Sequence, residues 1–579
     1  GTIDKIINST FENNTATTTG GAIFIGALSG SSVVGKITTI QDVQFISNSA
    51  TQGGAIMNTG GSITTLNATF RDNQAIGDKN GYGGAVLNNN GTIASITSIF
   101  EGNSATVFGG AIFNSGNIGA IENSKFNNNS ATQGGAIFNS STIGTITSSF
   151  DSNSADYGAG IVNTGTIKNI KGSTFQNSEA AYGAAIFNSG TITSITNTTF
   201  SNNVADNGVI YNSGKIGTFD ATFENNISVG IFNGGTISSI NLAYKNNNGG
   251  AIYNSDNGFI GNYTIGSDNV ISFTGTAVSG TFSNNTSWIK DNSGVPIIMN
   301  KGYMGGIDAI FTGNKVFADN TTIPEGTISQ TLFQNSVIFN SGLITSIAGN
   351  FTNNTLQGLS STGIIYNTGI IYDISSIFEG NTANNSAAVI INTNRIDNIT
   401  GEFNNNVNAI WAYSGTINDI SASFENNTGS AIKIYKSEVN NITSTFNNNS
   451  SSQGGAIYIS SGATNVVING STFIENSAIS SSDKALGGAI YNASNNLTIN
   501  NSTFTGNYAQ TTTGVAIGGA IYSTGDIIFN VNDGFESVFK DNYVQIGTNK
   551  DYVGIGVGSV FGITLDSQVT ENDTRTTIY

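Results

Sequence analysis

Apolar residues come in short runs along this chain, and the runs repeat. In the copy that opens at Gly134 they are Ala136-Ile137-Phe138, then Ile143-Gly144-Thr145-Ile146, then Thr147-Ser148-Ser149-Phe150. Asn, Ser and Gly separate them, as strand boundaries require. The phrase returns about every 25 residues, and a period of that size predicts a solenoid of stacked coils instead of one globular core. The expected fold is all-β: a parallel β-helix with three short strands per coil of about 25 residues, stacked at the inter-strand spacing of roughly 4.8 Å.

Two tags mark the copies. Gly-Gly-Ala-Ile is strict at Gly20–Ile23, Gly53–Ile56, Gly109–Ile112, Gly134–Ile137, Gly454–Ile457, Gly487–Ile490 and Gly518–Ile521. Phe-x-x-Asn recurs from Phe11/Asn14 through Phe100/Asn103 and Phe150/Asn153 to Phe446/Asn449 and Phe504/Asn507. The tag isoleucine is Ile or Val in copy after copy (Ile23, Ile56, Val86, Ile112, Ile137), which predicts an interior stack. The tag phenylalanine is expected inside as well. The asparagines at the turns are expected to form amide ladders from coil to coil.

The pattern divides the chain. Residues 1–254 read as β-helix coils. Residues 255–334 read as interrupted coils with projecting loops, because the tags scatter there and Trp288, Pro296 and Pro324 fall inside. Coils resume over 335–545, and 546–579 reads as a C-terminal cap or interaction tail.

Composition narrows the function. Charged residues are 9% of the chain and the net charge is −17, so no basic stripe is available for nucleic acid. No apolar run is long enough to insert into a membrane. Cysteine and histidine are both absent, which excludes disulfides, thiolate metal sites and a Ser-His triad. No cofactor is expected.

The paired tags Gly-Gly-Ala-Ile and Phe-x-x-Asn resemble those of the chlamydial polymorphic membrane proteins and related autotransporter adhesins. The resemblance covers most of the chain outside 255–334 and the tail. It implies a right-handed β-helix passenger, exported to the bacterial outer surface and used in adhesion.

The candidate interaction surface is the position after the tag isoleucine. It holds Phe113, Phe138, Phe187, Tyr211, Tyr253, Tyr366, Trp411, Tyr458, Tyr491 and Tyr522, with Lys433 in one copy. Strand alternation puts this position opposite the interior isoleucine, so an aromatic stripe is expected along one outer face. Trp288 in the interrupted segment joins the list. Such a stripe serves either packing alone or contact with a protein or a sugar.

Carboxylates are scattered, often in the variable slots of Phe-x-x-Asn (Glu12, Asp72, Glu101, Asp151, Glu224), where solvated turns are expected instead of a catalytic pair. Asp78-Lys79-Asn80-Gly81 alternates oxygen ligands, but a lone Asp-x-Asn is a weak calcium signal.

The leading expectation is a non-enzymatic extracellular passenger that adheres to a host or neighbouring-cell surface protein or glycan. The first alternative is a filament or surface-layer subunit. It follows from Gly1-Thr2-Ile3-Asp4-Lys5-Ile6, which matches an interior coil phrase, so that either further residues precede it or another subunit covers the open coil. Self-association along the aromatic stripe is the related possibility. A polysaccharide-acting β-helix enzyme is the weaker alternative.

Overall fold

The computed structural model describes residues 1–26, 34–267, 270–287, 296–317, 336–357, 363–383, 388–481, 483–530, 536–557 and 564–566. Among these residues there are strands and turns but no helix. The chain forms two compact units, Gly1–Ile289 and Lys290–Tyr579. Each is a stack of parallel coils, so the chain is a parallel β-helix protein.

One coil of the first unit shows how the sequence builds it. The tag enters strand Ile137–Asn139, a turn follows, and a ten-residue strand runs over Thr142–Asp151. The second and third apolar runs are therefore one continuous strand. Ile143, Ile146, Ser148 and Phe150 all point inward along it. The three-residue step from Ile143 to Ile146 breaks strict alternation and bends the strand around the core. In the next coil Gly172, at φ 56°, splits the same stretch into Thr166–Lys171 and Thr174–Gln176. The third column of the coil is Ser154–Tyr157, which follows the asparagine of Phe-x-x-Asn.

Neighbouring coils pair in register. In the first unit, Ile112, Ile137, Ile161, Ile186, Ile210, Ile231 and Ile252 stand over one another and are fully buried. From Phe11 to Phe223 the tag phenylalanines stack with centroids 4.4 Å (Phe150–Phe175) to 5.2 Å (Phe175–Phe200) apart. That is one coil spacing per ring, so the rings report the strand separation directly. Each buried ring contributes roughly 1.5–3 kcal/mol. In the second unit the stack Phe311, Phe351, Phe378, Phe403, Phe424, Phe446, Phe473, Phe504, Phe539 keeps 4.5–4.9 Å.

Two buried asparagine ladders close the polar accounts. In the first, the side-chain amide of Asn103 donates to Phe70 O at 3.0 Å and to Asn129 Oδ1 at 3.0 Å, and its backbone N–H donates to the same Oδ1 at 3.1 Å. In the second, Asn114 Nδ2 donates to Asn139 Oδ1, and Asn139 Nδ2 to Asn163 Oδ1, each at 2.8 Å. A buried amide is costly unless paired, and here the next coil supplies the partner.

The two tag glycines answer different demands. Gly109 lies at φ 65°, in the left-handed region. Gly110 has no room for a Cβ, which would meet the carbonyl of Gly135 in the next coil.

Two strand pairs depart from the parallel pattern among the described residues, beside one isolated antiparallel bridge between Thr59 and Asn90. In the first unit, Asn262–Ile265 pairs antiparallel with Ile271–Thr274. In the second, Tyr543–Ile546 pairs antiparallel with Asn549–Asp551. Pro296 is buried two residues before strand Ile298–Asn300, while Trp288 and Pro324 lie outside the described residues.

Candidate interaction surface

The position after the tag isoleucine faces away from the interior stack, as alternation requires, yet it is far from bare. In the first unit Phe138 keeps 7% of its surface and Val162 1%, while Phe113, Phe187, Tyr211 and Tyr253 are half-buried. For Phe113, Phe138, Phe187 and Tyr211 the cover comes from the residue just before a tag. The left-handed glycine reverses the chain, and the side chain ahead of it lands on the stripe. Phe108 sits 4.5 Å from Phe138 and 6.2 Å from Phe113, and Tyr82 lies 5.1 Å from Phe113. Tyr157 meets Phe187 edge-on at 5.5 Å, and Tyr182 meets Tyr211 edge-on at 5.6 Å. The sequence signal for this cover was available: Tyr82, Phe108, Tyr157 and Tyr182 each immediately precede a tag glycine.

The stripe of the first unit is thus two clusters. Phe113 and Phe138 stack at 5.4 Å. Val162 interrupts, and Phe187, Tyr211, Phe232 and Tyr253 continue at 5.1, 4.7 and 4.9 Å. In the second unit Tyr366 is buried beside Phe339 at 5.8 Å. Ile391 intervenes. Trp411, Lys433, Tyr458, Tyr491 and Tyr522 then follow in register on successive coils. Tyr435, which the repeat alone did not single out, bridges this last group. Its ring lies 6.2 Å from Trp411, 5.8 Å from Tyr458 and 5.9 Å from Tyr413.

Electrostatics distinguish that last cluster. Lys433 Nζ lies 5.2 Å from the centre of the Trp411 ring. Burial pushes the lysine down to about 8. Burial also raises Tyr366, Tyr435, Tyr458 and Tyr491, with neighbouring phenols adding to the effect.

The carboxylate slots were expected in turns, but Glu12, Glu101, Asp151 and Glu224 end strands, and only Asp72 takes the left-handed turn that follows. Glu12 and Asp72 are exposed, and Glu101 pairs with Arg71 at 3.2 Å on the surface. For Asp151, partial burial acts to raise the pKa, but hydrogen bonds from Asn177, Gln176 and Ser152 outweigh it and hold the group below its usual value. That is the opposite of what a general acid needs. Asp78 is exposed, and among the described residues no group of three His, Cys, Asp or Glu could hold a metal ion.

Residues 8–26, 97–115, 123–140 and 443–460 match the Chlamydia polymorphic membrane protein (Chlamydia_PMP) repeat. Each matched stretch runs from a Phe-x-x-Asn to the following Gly-Gly-Ala-Ile, so the family repeat coincides with the Phe stack, the first asparagine ladder and the glycine turn. A comparison with curated proteins found no match. Among solved structures, a mutant of the PL6 family alginate lyase AlyGC is 12% identical over 96% of this chain and 97% of its own, with a TM-score of 0.22.

Proposed function

We propose that this chain is the passenger part of a bacterial surface protein, displayed outside the cell, and that it works by adhesion and not by catalysis. The observation that carries the reading is the set of four coils that match the polymorphic membrane protein repeat. The division of labour within a coil supports it. Interior positions repeat with little change, while the covered and outward positions vary between aromatic, aliphatic and cationic residues. A scaffold of that kind presents different contacts at fixed spacing on rigid elements. The partner is a protein or glycan on a host or neighbouring cell.

Competition tests the reading. Cells pre-incubated with purified chain should bind fewer bacteria that display the full-length protein, in a dose-dependent way. Attachment that stays unchanged at saturating chain would contradict adhesion.

A further inference from the structure

The cluster around Lys433 differs from every other coil. The equivalent position on the described coils is otherwise uncharged, from Met57 and Phe113 to Met299, Tyr366 and Tyr522. A half-buried ammonium costs desolvation free energy, and a nearby carboxylate normally offsets it. Among the described residues none pairs with Lys433: the ion pairs are Arg71–Glu101, Lys245–Glu224 and Arg395–Asp397. Desolvation alone accounts for the lysine's lowered pKa.

A second anomaly sits beside it. Trp411 Nε1 is buried and has no hydrogen-bond acceptor among the described residues. Around both lie the rings of Tyr435 and Tyr458, with Tyr413 at the rim, 54% exposed. No hydrogen bond to another described residue engages the hydroxyls of Tyr413, Tyr435 or Tyr458.

From this arrangement we propose that the Lys433 cluster is a binding site for a carboxylate-bearing sugar. The cation takes the carboxylate, and the unpaired indole N–H of the Trp411 ring it faces is a donor for a second sugar oxygen. The rings of Trp411, Tyr435 and Tyr458, tilted against one another, take the apolar C–H face of the sugar ring, and the phenol hydroxyls take the sugar hydroxyls. An acidic peptide would use the cation but leave the aromatic rings and the phenols idle. The net charge of −17 favours a sugar carrying one carboxylate over a polyanion. The proposal deepens the adhesive reading and rests on it for the source of the sugar.

Tryptophan fluorescence reads the site directly. The chain has two tryptophans, so Trp288→Phe leaves Trp411 as the reporter. The probes are sialyllactose and a glucuronic acid-terminated disaccharide, each against its neutral counterpart, and an oligoglutamate peptide. At least one acidic sugar should shift the emission and bind at least tenfold more tightly than its neutral counterpart. Lys433→Met should abolish that preference; methionine already occupies positions 57 and 299, so the fold should hold, which circular dichroism checks.

No emission change with either acidic sugar at millimolar concentration overturns the proposal. So does a preference that survives Lys433→Met, or oligoglutamate binding as tightly as the sugar. Sugar binding without cell attachment would count against adhesion alone. Attachment unaffected by Lys433→Met, with no sugar binding, would count against this site alone.

Discussion

Single residues in this protein are chosen by the turn they must make or the space they must leave. The second slot of Phe-x-x-Asn is left-handed in coil after coil: Asn13, Asp72, Ser152, Asn202, Asn353 and Asn448 lie at φ 53–55°. Asn, Asp and Gly tolerate that conformation best. Glu475 occupies it at φ 51° without that advantage. Glu475→Asn should therefore stabilise the fold by about 0.5–1 kcal/mol in denaturant unfolding. Gly110→Ala should destabilise it by about 2–3 kcal/mol, because the added methyl must displace backbone in the next coil.

Lys433 adds a pH dependence. Its folded pKa of about 8 lies below the ordinary 10.5. Between those values the unfolded chain holds the proton more firmly, so its contribution to stability rises with pH; below about 8 both states are protonated and the full burial penalty applies. The facing phenols Tyr435 and Tyr458 are shifted upward, which keeps them neutral across most of that window. The melting temperature of Lys433→Met should exceed that of the parent at pH 7, with the gap narrowing toward pH 10. A constant gap would show that the lysine is not desolvated.

At the scale of the coil, the ladders are all-or-none devices. Asn139→Ala leaves the Asn114 amide without its Oδ1 acceptor and the Asn163 Oδ1 without its donor. The expected cost is about 2–4 kcal/mol, and hydrogen exchange should show it concentrated in the adjoining coils. The chain illustrates the complementary solution. The second ladder runs through Asn300, Asn340, Asn367 and Asn392, and the next three coils carry Ala412, Ile434 and Ile459 in the same register, all buried. Replacing neighbours together by apolar groups removes donor and acceptor alike.

These interior columns were legible in the sequence because stacking forces the same residue type into each copy. Ile137, Phe150 and Asn153 could each be placed from their recurrence alone. The strand at Ser154–Tyr157 was not legible, since its residues carry no apolar run and it exists because neighbouring coils pair with it. Nor was the depth of the aromatic stripe. It depends on how far the left-handed turn at Gly109 or Gly158 swings the preceding ring, a distance that spacing along the chain does not encode.

Across the whole molecule, both units use the same interior while their outer clusters differ. The first presents paired Phe and Tyr stacks, and the second gathers Trp411, Lys433 and five tyrosines. Stability in such stacks is a sum over neighbouring coils, so an outward residue can change with little effect on the coils beyond. That independence suits a surface whose task is contact. The most direct test is a binding isotherm: fluorescently labelled chain titrated onto a panel of cultured animal and bacterial cells and read by flow cytometry. The adhesive account predicts saturable binding to at least one cell type, competed fully by unlabelled chain. Binding that is absent throughout the panel, or that rises linearly and resists competition, would contradict it.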